Sequence, residues 1–136
     1  MRKRLTKAER QKVYEKCGGH CAYCGRELEY RQMNVDHAIP LRSCGKDELE
    51  NMLLACRSCN NYKSSMSIEE LREMIEKMPD TLMRDNTTYR NAVRFGVVVP
   101  NKMPIKFYFE KILEYGNDVT EKFLIRLETE ELNQQN

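Results

Sequence analysis

Apolar positions alternate in some stretches of this chain and recur at helical spacing in others, and the two patterns predict its elements. Thr6-Lys7-Ala8-Glu9 opens the first one: a Thr hydroxyl and a Glu three residues later can satisfy each other's end of a helical turn. That helix is expected from about Lys7 to Lys16, stopped by Gly18-Gly19. Met33-Asn34-Val35 is apolar at alternate positions, which predicts a short strand that delivers Asp36-His37 at its end. Ile39-Pro40-Leu41 leaves that strand, because proline cannot donate to a ladder. Met52-Leu53-Leu54-Ala55 is a second short apolar run, leading into a helix expected from near Cys56. These four pieces make a β-hairpin laid on one helix.

The second half is dominated by helical spacing. Ser67-Ile68-Glu69-Glu70 repeats the capping pattern, and Ile68, Leu71, Met74, Ile75 and Met78 share one face of a helix to about Lys77, ended by Pro79. Asp80 can cap a helix through about Arg94, and Val97-Val98-Val99 reads as a strand closed by Pro100. Ile105, Phe107 and Phe109 alternate like a strand, although residues 105–113 fit a helix equally well; the aromatic content favours a strand over 105–109. Asp118 is expected to cap a last helix to about Leu132.

Composition narrows the class. The 136 residues are 40% hydrophobic and 32% charged, with no tryptophan, as in a polar-surfaced globular protein rather than a disordered or membrane one. No apolar run approaches the ~18–20 residues of a membrane span. The first nine residues lack the apolar segment of a secretory leader, so the expected location is the cytoplasm, with no membrane partner. Thiols stay reduced there, and paired cysteines then read as metal ligands before disulfides. The net charge of +2 conceals a gradient: residues 1–16 hold seven basic side chains against two acidic ones, and residues 117–136 hold five acidic against two basic. A basic front end suggests a polyanionic partner on that side; the alternative is an ordinary solvated face.

The chemistry concentrates between Cys21 and Lys63. Cys21-Ala22-Tyr23-Cys24 and Cys56-Arg57-Ser58-Cys59 are two Cys-x-x-Cys pairs, and two such pairs can wrap one tetrahedral zinc. The usual gap between them is about 12–20 residues. Here 31 residues, 25–55, intervene, and they contain Asp36-His37, with one of the two histidines in the protein. A helix starting near Cys56 places Cys56 and Cys59 on one side and Asn60 and Lys63 on a neighbouring side, so Cys59 can face a metal while Asn60 faces the hairpin. Cys44 has no partner at ligand spacing, and Cys17, at the end of the first helix, reads as a small buried residue rather than a ligand. The arrangement looks like an active site held on a metal staple.

Cys21-x2-Cys24, Asp36-His37, Asn51 and Cys56-x2-Cys59-Asn60-x2-Lys63, in this order and spacing, resemble the HNH endonucleases of the zinc-stapled kind over residues 10–66. The resemblance implies an α+β fold: a ββα-metal core with structural zinc, flanked by an N-terminal helix and a mainly helical C-terminal extension. The expected division is a nuclease core with its basic arm and helix over 1–66, and an extension over 67–136 packed on it. It also implies a metal-dependent endonuclease acting on DNA, expected to be double-stranded. In that reading Cys21, Cys24, Cys56 and Cys59 hold structural zinc. His37 is the general base, because an imidazole suits proton abstraction near neutral pH. Asp36 and Asn60 offer oxygens to a catalytic Mg²⁺ or Mn²⁺. Asn51 braces the loop and keeps the His37 ring oriented, and Lys63, Arg57 and Arg42 are candidate phosphate contacts. The last motif position is often His and is Asn60 here, a hard-oxygen variant.

Other readings stay open from sequence alone. Asn51 can be a plain loop cap, and Lys63, Arg57 and Arg42 can be solvated. The whole unit can be a zinc-stapled nucleic-acid or protein-binding module without catalysis, or a nicking or RNA-directed nuclease of the same chemistry. A chain with little beyond the motif suits a phage, mobile-element or restriction setting.

Overall fold

A computed structural model of the chain describes residues 4–115. Helix α1, Lys7–Lys16, starts at Thr6, whose side chain accepts from the Glu9 amide while the Glu9 carboxylate accepts from the Thr6 amide. Strands β1, Asn34–His37, and β2, Met52–Ala55, follow, and then helix α2, Arg57–Lys63. The strands pair antiparallel, with Asn34 opposite Ala55, Val35 opposite Leu54, Asp36 opposite Leu53 and His37 opposite Met52. Helix α2 packs against β1, and α1 packs against β2. The expected hairpin on a helix is thus present, and the mixed α+β class with it.

Two four-residue strands bury too little to stand alone. Their support comes from both sides. Val13 of α1, Leu28, Met33, Met52, Leu54 and Ala55 form one core with Cys21, Tyr23 and Cys56. Lys16 anchors the end of α1 by donating from Nζ to the carbonyls of Leu49 and Met52, at 2.7 Å each. Leu71 and Phe107 join the same core from later in the chain.

Four more helices are described: α3, Ile68–Glu76; α4, Met78–Asp85; α5, Thr87–Arg94; and α6, Tyr108–Tyr115. The Ser67–Glu70 capping box forms as expected. Three expectations differ from the structure. The helix expected from Asp80 to Arg94 is two, because Asn86 is extended and its side chain caps α5 by accepting from the Tyr89 amide at 2.8 Å. The helix expected to about Lys77 does end there, and Pro79 falls in the first turn of the next helix, α4, where a proline lacks only an amide hydrogen that would have had no helical acceptor. Residues 105–109 are not a strand: Phe107 and Tyr108 are pinned at the start of α6, where the Glu110 carboxylate accepts from the Phe107 amide at 3.0 Å. Val97-Val98-Val99 pairs with no strand among the described residues, and Val97 and Val99 are 80% and 83% exposed. The helix expected from Asp118 to Leu132 lies outside the described residues. No helix among those described is long and apolar enough to cross a membrane.

Candidate active site

The two cysteine pairs meet. The Sγ atoms of Cys21, Cys24, Cys56 and Cys59 all lie within 4.8 Å of one another. Tetrahedral Zn–S bonds of about 2.3 Å place thiolates about 3.8 Å apart, and Cys24 Sγ stands 3.9 Å from Cys56 Sγ. The donor set therefore fits zinc in type, number and spacing. The Cys56 amide donates to Cys21 Sγ at 3.3 Å, and the Cys59 amide to Cys56 Sγ at 3.4 Å, the kind of support thiolates need. A hydrogen bond from the Cys59 side chain, helped by backbone amides, lowers the Cys21 thiol to about 4 against the opposing effect of burial. The same hydrogen bond, with burial, raises Cys59. Cys17 is buried outside this cluster, and burial pushes its thiol up to about 11. Cys44 is exposed in the loop.

The first knuckle turns at Gly25, whose φ of 79° is in the left-handed region. A Cβ there would also meet the Tyr108 ring at 3.0 Å. The knuckle is buttressed from the far end of the chain, since Tyr108 and Phe109 donate their amides to the carbonyls of Tyr23 and Ala22 at 3.2 and 2.8 Å. His20, just before it, stacks on Tyr108 with ring centroids 5.2 Å apart, and stays outside the cysteine cluster.

Asp36 and His37, at the end of β1, point to different surroundings, as successive strand residues must. The Asp36 carboxylate is buried. Its Oδ2 accepts a short hydrogen bond from the Tyr23 hydroxyl and an ion-paired one from Lys63 Nζ at 3.0 Å. Burial and the adjacent carboxylate push the Tyr23 hydroxyl above its ordinary range, so it stays protonated and donates. Lys63, the last residue of α2, is completely buried, and its ammonium also donates to the His37 carbonyl at 3.0 Å. The structure thus places Lys63 beneath the hairpin rather than on a phosphate-facing surface. Arg42 and Arg57 are exposed, and Asn60 is half-buried on α2.

The His37 ring is 6% exposed. Its Nε2 lies 2.8 Å from Asp47 Oδ1, and its Nδ1 is buried with no hydrogen-bond partner. Asn51 clamps the intervening loop: Oδ1 accepts from the Ile39 amide at 2.8 Å, Nδ2 donates to the carbonyls of Ile39 and Lys46 at 2.9 Å each, and its own carbonyl accepts from the Ala38 amide at 2.9 Å. The loop it holds is tight. Ser43 and Gly45 both donate to the Pro40 carbonyl, and a Cβ on Gly45 would sit 1.9 Å from the Ile39 oxygen.

The structure therefore brings together Asp36, His37, Lys63 and Asn51 around one hairpin end, beside the cysteine cluster. Two participants were missed from sequence, Tyr23 and Asp47. Tyr23 had a signal, lying within the first knuckle; Asp47 is one of several carboxylates in a polar loop and had none.

Residues 21–66 match the family model described as HNH endonuclease. No curated protein matches the chain. Among solved structures the chain is similar to the crystal structure of the Type II-C Cas9 enzyme from Actinomyces naeslundii, at 21% identity and a TM-score of 0.45. That similarity covers 55% of this chain and 9% of the Cas9 chain, so this protein corresponds to a small part of that enzyme's length.

Proposed function

From the match of residues 21–66 to the HNH endonuclease family model, we propose that the protein is a metal-dependent endonuclease hydrolysing DNA phosphodiesters, with His37 as general base. The observation that carries this reading is the imidazole itself. One ring nitrogen is anchored on a carboxylate while the other is buried and unpartnered, which is how a base waiting for a proton is arranged. Nδ1 has no exposed surface, so admitting the attacking water requires the atoms covering it to shift when substrate binds.

In this reading Cys21, Cys24, Cys56 and Cys59 hold a structural zinc that fastens the first knuckle to α2. Asp36 and Asn60 would hold Mg²⁺ or Mn²⁺, their carboxylate and amide oxygens suiting a hard ion. When bound, that ion supplies charge neutralisation at the phosphate and leaving oxygen. Because Tyr23 and Lys63 already use Asp36 Oδ2, the carboxylate would offer Oδ1. Lys63 then serves the site from beneath, by holding Asp36 and the His37 carbonyl. Arg42 and Arg57 are exposed and are the candidates for phosphate contact. Double-stranded DNA in the cytoplasm is the expected setting, with 1–66 as catalytic core and 67–136 as its extension.

The engagement of Asp36 Oδ2 is also the observation that favours the alternative, a zinc-stapled binding module without catalysis. Cleavage of supercoiled plasmid in Mg²⁺ or Mn²⁺ separates the two. His37→Ala should lose about 10²–10⁴-fold in rate while keeping its fold. Equal cleavage by both proteins would remove His37 as base, and binding without cleavage by either would select the module.

A further inference from the structure

We propose that Asp47 is a positioning residue for His37: it fixes the imidazole as the Nε2–H tautomer and leaves the basic lone pair on Nδ1. The inference rests on the reading of His37 as general base and adds the group that prepares it. A neutral imidazole has one donor nitrogen and one acceptor nitrogen, and the partner of one decides the role of the other. A carboxylate can only accept. The nitrogen 2.8 Å from Asp47 Oδ1 must therefore carry the hydrogen, and Nδ1 must be the acceptor.

Nδ1 is buried without a hydrogen-bond partner, a state that costs stability and marks an atom whose partner arrives with substrate. The pair is well shielded, the His37 and Asp47 side chains being 6% and 23% exposed, so the contact is little screened by water.

The placement of Asp47 is built into the loop. Asn51 Nδ2 donates to the carbonyl of Lys46, the residue immediately before Asp47, and to that of Ile39, two residues after His37. One amide thus fixes the spacing between the two partners. Asn51 orients the His37 ring, as the motif suggests, but through Asp47 rather than by touching it. His37 is then held at three points: the β ladder, Lys63 on its carbonyl and Asp47 on its ring.

The test uses the full zinc-loaded chain. Long-range ¹⁵N–¹H spectra in mildly alkaline buffer distinguish the two neutral tautomers, and with two histidines in the protein, the signal lost in His37→Ala identifies the ring. The expected wild-type pattern is Nε2–H. The isosteric Asp47→Asn, whose amide can either donate or accept, should mix the tautomers and lower plasmid cleavage at saturating DNA by roughly 10²–10⁴-fold, the upper end being the loss seen when a Ser-His-Asp triad loses its orienting carboxylate. DNA affinity should be unchanged. An Nδ1–H pattern in the wild type would overturn the proposal even if every variant failed to fold. So would an Asp47→Asn protein with unaltered tautomer and unaltered rate. An Nε2–H pattern that Asp47→Asn disturbs, in a protein that cleaves nothing, would support the positioning role while removing the nuclease reading.

Discussion

At the level of single side chains, the most consequential is the one whose burial is least expected. Lysine is rarely fully buried unless paired, and Lys63 is completely so, with its charge answered by Asp36 and a carbonyl. Removing one partner of such a pair strands the other. Lys63→Ala should therefore cost about 3–5 kcal/mol, read as a fall in the urea midpoint of the zinc-loaded protein. The double variant Lys63→Met with Asp36→Leu should recover most of that loss. A single variant within about 1 kcal/mol of wild type would show that the ion pair holds nothing. The place of Asp36, His37 and Asn51 at one hairpin end was legible from the chain, because a short strand and the loop after it leave few positions for them. The partners were not legible. Whether Lys63 points outward or inward depends on the depth of α2 against β1, and which loop carboxylate meets the His37 ring depends on how the loop closes.

For the elements, local capping chemistry was the most reliable guide. The boxes at Thr6–Glu9 and Ser67–Glu70 form as the residues dictate, since their bonds are made within one turn. Errors arose where tertiary contacts decided between two local options. Residues 105–109 fit either periodicity, and the backbone bonds of Tyr108 and Phe109 to the first knuckle, with Glu110 capping Phe107, chose the helix. Val97-Val98-Val99 had strand propensity but no strand to pair with among the described residues. The loop from Ile39 to Lys46 is an element in its own right, and Gly45 is where it is packed hardest. Gly45→Ala must push the Ile39 carbonyl aside, which should cost about 1–3 kcal/mol of stability. Its effect on cleavage should be larger, roughly 10²-fold, because the loop leads directly into Asp47 and is clamped by Asn51. A cleavage rate within twofold of wild type would show that the loop position does not matter to His37.

At the scale of the molecule, the described residues share a core that Val13 of α1 and Phe107, just before α6, both enter. Arg72 of α3 donates to the Ile105 carbonyl at 2.8 Å, pairs with Glu110 at 2.7 Å, and lies 5.0 Å over the Phe107 ring. Phe107 in turn packs edge-on against Tyr23, with centroids 5.5 Å apart. Phe107→Ala should lower stability by about 3–5 kcal/mol in urea unfolding, a loss spread through the knuckle that carries Tyr23. Little change would mean that α6 is a passenger. Chelation should do more: without metal the hairpin, too small to stand alone, should lose its ordered spectrum by circular dichroism. A folded spectrum in metal-free protein would deny the cysteines a structural role.

The cysteine clip joins residues 21–24 to residues 56–59, and Asp36, His37 and Asn51 all lie on the stretch of chain it closes. Mass action then governs how many copies are competent. An ion that binds only the folded form stabilises it by about 0.4 kcal/mol when its free concentration equals its Kd, and by about 2.7 kcal/mol at a hundredfold excess. On the proposed reading, the fraction of molecules able to cleave would be a function of free zinc, with one ion per chain setting the steepness of the response.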